Sequence, residues 1–306
     1  MQTTLNRKVT FSGVGLHSGA SANMTVCPAP IGMGVVFHRV DVTERDAYVP
    51  ARFDAVSEKP LCTRLINAAG TEVLTVEHIM AALAGCGVYN AVIELDGPEV
   101  PIMDGCSAHF AAALIDAGLR EQNASLMAIE ILRPVSVRDG DAFAMLSPAN
   151  ALEIDFQIDF EDAAIGHQEK RLNMANGTFV RELSDSRTFC RRSDIDTMHA
   201  NGLALGGTYE NAVVVDGDDV LSPGGLRHAD EAVRHKMLDA LGDLALAGAP
   251  ILGRYTGRRA GHAMTNRLLR KLFETPDAFR IVACSAQQLQ NLPGVGVNHA
   301  DLPLVA

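Results

Sequence analysis

Tryptophan is absent from this 306-residue sequence, and aromatic residues make up only 5% of it. Few side chains are therefore available to stack on bases or sugars. Lysine and arginine number 26 against 37 aspartates and glutamates, and the formal net charge of −11 argues against a nucleic-acid partner. Neither GxGxxG nor GxxxxGK[ST] occurs, so no common nucleotide-binding loop is indicated.

Long apolar runs are also missing. No stretch reaches the ~18 residues that a membrane span requires, and the first twenty residues lack the apolar core of a secretory signal. The six cysteines form no CxxC pair, which argues against a zinc ribbon or a thioredoxin-type site. We therefore expect reduced thiols and a cytoplasmic location. A transient association with a membrane surface stays compatible with the sequence.

Hydrophobic residues make up 47% of the chain and charged residues 21%, as in folded globular proteins. The length predicts about two domains. Residues 120–125 are polar and predict an unstructured linker, so we place domains at 1–122 and 123–306. Strand clusters alternate with pairs of helices on both sides of this boundary, which favours two α+β domains over one doubly wound sheet.

Apolar periodicity predicts four helices, over about 76–84, 106–118, 229–248 and 259–273, the first with Thr75 as its N-cap. Short echoes link the two halves. Asn-Ala-Val occurs at 90–92 and again at 211–213, and Val-Glu-His at 76–78 resembles Val-Arg-His at 233–235. Such echoes indicate either an internal duplication or chance.

The helix predicted over 229–248 carries a candidate metal site. His235, Asp239 and Asp243 are spaced by four and drift only about 80° around the helix axis, so they form one polar stripe. An imidazole and a carboxylate one turn apart can reach one zinc ion. Because roughly one HxxxD/E pair is expected by chance in a chain of this composition, a solvated helix face is the alternative interpretation.

Two further histidines could complete such a site. His78 follows Glu77, and a glutamate beside a metal ligand can take a proton from water. Otherwise Glu77 is an acid favoured by the dipole of a first helical turn, and His78 is a core histidine. His262, which follows Gly261, would donate a proton to a leaving amine if Asp243 held it protonated. Its alternative is a surface histidine.

Two polar candidates are less specific. Lys236 could bind a phosphate or an oxyanion, or it could be solvated. Thr188 lies in the segment SRTF at 186–189, which offers a hydroxyl and an aromatic ring or is an ordinary strand or loop.

Taken in order, these residues resemble the zinc-dependent UDP-3-O-acyl-N-acetylglucosamine deacetylase (LpxC) family of lipid A biosynthesis. The likeness runs from about residue 5 to residue 272. It is carried by GVGLH at 13–17, TVEH at 75–78, PIMDG at 101–105, SRTF at 186–189, VRHKMLD at 233–239, GDL at 242–244 and GHA at 261–263.

The resemblance implies two α+β domains, each layering two helices on a β-sheet, with the active site in the cleft between them. It implies that His78, His235 and Asp239 ligate Zn²⁺. It further implies that Glu77 is the general base and that His262, oriented by Asp243, is the general acid. Thr188 would support the oxyanion, and Lys236 would line the polar end of the site.

The resemblance also implies a substrate-binding region. Phe160 and Phe189 match positions that pack against the nucleotide-sugar, and the insert at about 195–214 matches an apolar passage for the acyl chain. Within that insert the candidate contacts are Ile195, Tyr209, Ala212 and Val214. Arg191 and Arg192 depart from the apolar residues expected nearby, and whether the thiol of Cys62 approaches the metal stays open. The diphosphate would need local cations, and the candidates are Lys236, Arg234 and either Arg258 or Arg259.

We therefore expect a monomeric, metal-dependent hydrolase that acts on a small molecule. It would remove the acetyl group from UDP-3-O-acyl-N-acetylglucosamine and release acetate and UDP-3-O-acyl-glucosamine. Two alternatives are a zinc amidohydrolase of the same fold acting on another acyl-sugar and a non-catalytic binding protein that kept the fold. Zinc and ferrous iron would both accept two imidazoles and a carboxylate.

Overall fold

The computed structural model describes residues 1–303, which form a mixed α+β fold. Residues 1–122 contain β1 (Gln2–Leu5), β2 (Val9–Val14), β3 (Ser21–Pro28), β4 (Val35–Arg39), β5 (Tyr48–Pro50), β6 (Val56–Ser57), β7 (Arg64–Ile66), β8 (Glu72–Val73), α1 (Glu77–Cys86), β9 (Ala91–Leu95), α2 (Ala108–Ala117) and β10 (Leu119–Gln122).

Residues 123–303 contain β11 (Met127–Ile131), β12 (Val135–Asp139), β13 (Ala142–Ser147), β14 (Glu153–Asp159), β15 (His167–Asn173), α3 (Thr178–Glu182), β16 (Phe189–Arg191), α4 (Ile195–Ala200), β17 (Val213–Asp216), β18 (Asp219–Val220), α5 (Glu231–Ala245), β19 (Ile251–Leu252), β20 (Arg254–Arg258), α6 (His262–Phe273), β21 (Phe279–Ala283) and α7 (Ala286–Gln290). The four helices predicted from periodicity are α1, α2, α5 and α6.

The same topology occurs twice. One five-stranded sheet has the order β2-β3-β9-β4-β5 and the other has the order β12-β13-β20-β14-β15. In each sheet one central pair is parallel, β4 with β9 and β14 with β20, and the remaining neighbours are antiparallel. Helices α1 and α2 flank β9 in the chain, as α5 and α6 flank β20. The repetition agrees with an internal duplication.

One of the two sequence echoes does not follow this repeat. The histidine echo falls on α1 and α5, which occupy equivalent places in the two units. The Asn-Ala-Val echo does not, because Ala91 begins β9 whereas Val213 begins β17, a strand outside the second five-stranded sheet. Asn-Ala-Val is a short segment that leads into a β-strand, and such strand-forming segments recur at unrelated positions.

The four longer helices, α1, α2, α5 and α6, lie between the two large sheets. Helix α5 packs against β14 and β15, α6 packs against β12 and β13, and α1 packs against both α2 and α5. Most buried apolar side chains of both halves belong to one continuous cluster, which includes Ile79 and Leu83 of α1 and Leu241 of α5. Helix α5 is therefore covered on most sides, and even its polar residues His235, Asp239 and Asp243 are buried.

The crossing of α1 and α5 is very close. A Cβ atom placed at Gly242 of α5 would lie 2.0 Å from the carbonyl oxygen of Glu77 at the start of α1. Contacts this short do not occur between a real Cβ and a backbone oxygen, so the crossing requires glycine at this position. The crossing also fixes where the first turn of α1 sits relative to α5.

Two local predictions are wrong. Thr75 does not cap α1, because its backbone is left-handed (φ 58°) and its hydroxyl donates to Glu99; the helix starts at Glu77 after Val76. The segment predicted as an unstructured linker is in part strand β10, which pairs antiparallel with β1. Three of its four side chains are exposed, so its polarity concealed the backbone pairing.

We propose that the chain divides into units at 1–122 and 123–306. Across residues 1–303, each of the six sheets takes all of its strands from one side of residue 122. Within the same described residues, no helix is both long enough and apolar enough to span a bilayer.

Replacement of Gly242 by alanine should destabilise the protein. Alanine favours a helix over glycine by about 1 kcal/mol, but the new methyl group would collide with backbone, and overpacking of this kind costs roughly 1–3 kcal/mol or more. We expect Gly242→Ala to lower the free energy of unfolding by about 2 kcal/mol, measured by urea denaturation. The control is Gly97→Ala, whose Cβ would meet only Ser21 O at 3.8 Å; equal effects of the two variants would contradict the packing argument.

Candidate active site

The first turn of α1 is held by a buried carboxylate that lies outside it. Glu99 accepts hydrogen bonds from the backbone N–H groups of His17 and Ser18 and from the hydroxyl of Thr75, each at 2.8 Å. These bonds join the turn after β2 to the residues that precede Glu77. Sequence reasoning gave Glu99 no role, because its partners are about 80 and 24 residues away in the chain.

The three predicted metal ligands, His78, His235 and Asp239, converge. The Oδ1 atom of Asp239 lies 3.3 Å from Nε2 of His235 and 3.6 Å from Nε2 of His78, and one ligand atom from each of the three residues lies within 4.8 Å of the others. Ligand atoms about 2.05 Å from a tetrahedral metal are themselves about 3.3 Å apart. All three side chains are buried.

The protonation states and the free ligand atoms of these groups suit a metal ion. Burial lowers the pKa of His235 to about 4, so its imidazole is neutral at pH 7. Its Nδ1 lies 3.0 Å from the carbonyl oxygen of Ser186, which can only accept, so the proton sits on Nδ1 and Nε2 is free to bind. Asp239 Oδ2 accepts from Lys236 at 2.6 Å, while its buried Oδ1 has no hydrogen-bond partner among residues 1–303. The residues present therefore fit a divalent metal.

The carboxylate of Asp239 is ionised. Burial alone would raise its pKa, but the neighbouring His235, Lys236 and His262 hold it well below the usual range of an aspartate. Burial likewise disfavours the charge of Lys236, yet Asp239 raises its pKa above the usual lysine range. The two groups therefore stay charged as a pair.

A second cluster adjoins the three ligands. Nδ1 of His262 lies 2.8 Å from Oδ2 of Asp243, and Nε2 lies 3.7 Å from Oε1 of Glu77. Burial by itself lowers the pKa of His262, but the charges of Asp243, Glu77 and Asp239 outweigh it and raise the pKa to about 9. Burial raises the pKa of Glu77, and His262 and His78 oppose that shift. A protonated imidazole thus faces a carboxylate.

Thr63 donates hydrogen bonds to both Glu77 and Asp243 of this second cluster. Its backbone N–H donates to Oε2 of Glu77 at 3.0 Å, and its hydroxyl donates to Oδ1 of Asp243 at 2.6 Å. Sequence reasoning missed Thr63, since a threonine in the loop between β6 and β7 carries no motif of its own. Its neighbour Cys62 is buried, and burial followed by the charge of Glu77 raises the pKa of the thiol to about 12. The group of possible metal ligands in residues 1–303 consists of His78, His235 and Asp239 and does not include Cys62.

Thr188, which belongs to residues 123–303, is held by a backbone contact with the first half of the chain. Its N–H donates to the carbonyl of Gly105 at 2.8 Å, and Gly105 (φ 90°) lies so close to Asn211 O that a Cβ there would be 2.2 Å away. The PIMDG segment thereby supports the segment that carries Thr188.

One cavity of about 1040 Å³ takes its lining residues from both halves of the chain. It is lined by Glu77, His78, Thr188, His235, Lys236, Asp239 and His262, whereas Asp243 and Thr63 are not among its lining residues. The six predicted substrate contacts line it together: Phe160, Phe189, Ile195, Tyr209, Ala212 and Val214. Phe160 and Phe189 meet edge to face, with ring centroids 5.4 Å apart. A second cavity of about 650 Å³, lined by apolar residues of α1 and α5, contains none of the predicted site residues.

The predicted cations divide into two groups. Lys236 and Arg259 line the cavity, whereas Arg234 and Arg258 do not and instead pair with Asp230 and Asp155. Four basic residues that the sequence did not single out as cations for the substrate also line it: Lys59, Arg191, Arg192 and Arg267. Of these, Lys59 and Arg192 form no ion pair within the described part of the chain, whereas Arg191 and Arg267 do.

A histidine of the first motif also lines the cavity. His17 is buried, its Nδ1 accepts from the N–H of Ala204, and its Nε2 has no hydrogen-bond partner in residues 1–303. The motif GVGLH contained this residue, but nothing in its spacing distinguished it from a turn histidine.

Sites of this kind are found in metal-dependent hydrolases. They combine two imidazoles and a carboxylate with a neighbouring glutamate and a histidine–aspartate pair. Residues 2–274 match the family described as UDP-3-O-acyl N-acetylglycosamine deacetylase, LpxC. The chain belongs to this family of deacetylases, as the motifs predicted.

Curated relatives agree. A protein of Phenylobacterium zucineum (strain HLK1) is 49% identical over 280 residues, which cover 92% of this chain and 96% of the relative. Proteins of Shewanella frigidimarina (strain NCIMB 400) and Shewanella oneidensis are 44% and 45% identical over 284 residues, with 92% of each chain covered. All three are named UDP-3-O-acyl-N-acetylglucosamine deacetylase.

Proposed function

We propose that this protein is a zinc-dependent deacetylase of lipid A biosynthesis. It hydrolyses the amide of UDP-3-O-acyl-N-acetylglucosamine and releases acetate and UDP-3-O-acyl-glucosamine. The observation that carries the proposal is the convergence of His78, His235 and Asp239 in a cavity that also holds Glu77 and His262. The names of the relatives support the choice of substrate.

His78, His235 and Asp239 would hold the zinc ion. When bound there, zinc polarises the acetyl carbonyl and makes the attacking water more acidic. Two nitrogens and one oxygen suit zinc, although ferrous iron accepts the same set.

Glu77 would act as the general base. It takes a proton from water as the water oxygen bonds to the carbonyl carbon of the acetyl group. The N–H of Thr63 fixes one carboxylate oxygen at 3.0 Å and leaves the other directed toward His262. A glutamate pKa raised by burial lies nearer the working pH, where a general base is most effective.

His262 would act as the general acid. Its pKa of about 9 keeps it protonated at pH 7, so it can donate to the sugar nitrogen as the C–N bond breaks. Asp243 stabilises the positive charge before transfer. The Thr188 hydroxyl would donate to the oxyanion, and a well-placed donor of this kind contributes about 3 kcal/mol. Lys236 would add positive charge at this end of the cavity.

The remaining cavity fits the rest of the substrate. The phenyl rings of Phe160 and Phe189 would pack on the nucleotide-sugar, and Ile195, Ala212 and Val214 would contact the acyl chain. The diphosphate requires cations, and Lys59, Arg192 and Arg259 lie along the wall, where Arg259 also pairs with Asp159.

We propose a monomer in the cytoplasm. Both halves of the cavity come from one chain, so a second copy is not needed to complete it. A uridine diphosphate substrate is assembled from nucleotides inside the cell, and a transient contact with a membrane surface would let its acyl chain enter the cavity.

The decisive assay is acetate release from UDP-3-O-acyl-N-acetylglucosamine. We expect turnover by the purified protein with one equivalent of zinc, loss on treatment with a chelator, and recovery on adding zinc in preference to ferrous iron. Faster hydrolysis of N-acetylglucosamine compounds without UDP and acyl chain would instead indicate another amide substrate. A protein that binds no metal and releases no acetate would overturn the proposal.

Glu77→Gln should separate chemistry from metal binding. The amide keeps an oxygen for the Thr63 N–H but cannot accept the proton of water, so we expect kcat to fall by roughly 10²- to 10⁴-fold. Zinc content should stay at one equivalent, measured by elemental analysis. Glu72→Gln, on β8 outside the cavity, is the control. Loss of zinc together with an unchanged rate would contradict the role of Glu77.

Asp243→Asn should move the alkaline limb of the pH–rate profile. The charge of Asp243 helps to raise the pKa of His262 to about 9, so its removal lowers that pKa and deprotonates the acid at lower pH. We expect the alkaline limb of kcat to shift by about one pH unit or more toward acid. Asp155→Asn, whose carboxylate pairs with Arg258, should leave the profile unchanged. An unshifted limb in Asp243→Asn would show that another group sets it.

A further inference from the structure

A buried ion pair lies beneath the site without lining the cavity. Glu231 is the first residue of α5, and its Oε1 accepts from both the N–H and the Nε of Arg187, at 3.0 and 2.9 Å. Its Oε2 accepts from the N–H of Arg227 at 2.6 Å and from Arg187 Nη2 at 3.2 Å. The two side chains are only 1% and 6% exposed.

The residues on either side of Arg187 both face the site. The carbonyl oxygen of Ser186 accepts from Nδ1 of His235, and Thr188 lines the cavity. The ion pair therefore joins this three-residue segment to the start of the helix that carries His235 and Asp239. A bond from Arg187 Nη2 to Gly225 O at 2.6 Å fixes the guanidinium from a third direction.

Stability alone does not explain such a pair. Removing two charges from water costs about as much as their attraction returns, so a buried ion pair is weak support for folding. Burial alone would raise the pKa of Glu231, yet the hydrogen bonds from Arg187 lower it below the usual range, so the pair is ionised. Bidentate pairing of arginine with carboxylate fixes orientation as well as distance.

We infer that Glu231, acting through Arg187, is a positioning residue that sets the orientation of His235 toward the metal and of the Thr188 hydroxyl toward the substrate. The Thr188 part rests on the proposed function. The His235 part concerns metal binding and is independent of the substrate. Outer partners of a metal-ligating histidine typically change metal affinity or activity by about 10- to 100-fold when removed.

Glu231→Gln tests this inference against a matched control. Asp230→Asn removes a carboxylate one residue earlier, where it bonds Lys170 and Arg234 but nothing in the 186–188 segment. For E231Q we expect a zinc dissociation constant raised by about 10-fold or more and an altered visible spectrum of the Co²⁺-substituted protein. We also expect kcat lowered by about 10- to 100-fold with KM within about threefold. D230N should stay near the wild type in all four measurements.

The alternative is a purely structural pair. In that case E231Q would lower only the melting temperature, and zinc affinity, the Co²⁺ spectrum and kcat would match D230N; this result would overturn the inference. Should E231Q not fold, Arg187→Lys decides by the same measurements, because lysine keeps the charge but cannot make the bidentate contact. Wild-type protein without acetate release would count against the proposed function alone, since zinc affinity still tests the His235 part.

Discussion

The close crossing of α1 and α5 is the constraint on which the site depends. Helix α1 carries Glu77 and His78 in its first turn, and α5 carries His235 and Asp239 in its middle. Only a glycine at 242 lets the two backbones approach until these side chains meet. Because the helices are enclosed by the sheets and by each other, their separation cannot relax without disturbing a close-packed interior.

The site concentrates charge that burial would ordinarily disfavour. Glu77, Asp239 and Asp243 are all buried, and His262 and Lys236 supply two positive charges against these three carboxylates. The surplus negative charge is a physical reason for a divalent cation to bind there. The environment also moves the pKa values of the two imidazoles apart, because burial lowers the pKa of His235 while carboxylates raise that of His262. One imidazole is thereby suited to bind metal and the other to donate a proton.

Periodicity and spacing predicted the parts of this arrangement that are local in the chain. The apolar period identified α5, and the four-residue spacing placed His235 and Asp239 on one stripe. Periodicity does not show which elements pack against that stripe. It therefore could not decide whether the stripe was solvated or buried. Thr63 and Glu231 were missed for the same reason: their partners lie 180 and 44 residues away. Strand β10 was missed because its pairing uses backbone groups and its side chains remain polar and exposed.

The repeated topology explains why the proposed ligands come from both halves of the chain. Helices α1 and α5 hold equivalent positions in the two units. Each carries a histidine, His78 or His235, with a valine two positions before it in the chain. Packing the two units through these helices brings the two histidines face to edge, with ring centroids 5.0 Å apart. The residue between differs, since Glu77 faces the cavity while Arg234 bonds Glu182 outside it. The contact between the two helices therefore brings the imidazole pair together, and the different residue before each histidine places a carboxylate in the cavity on one side only.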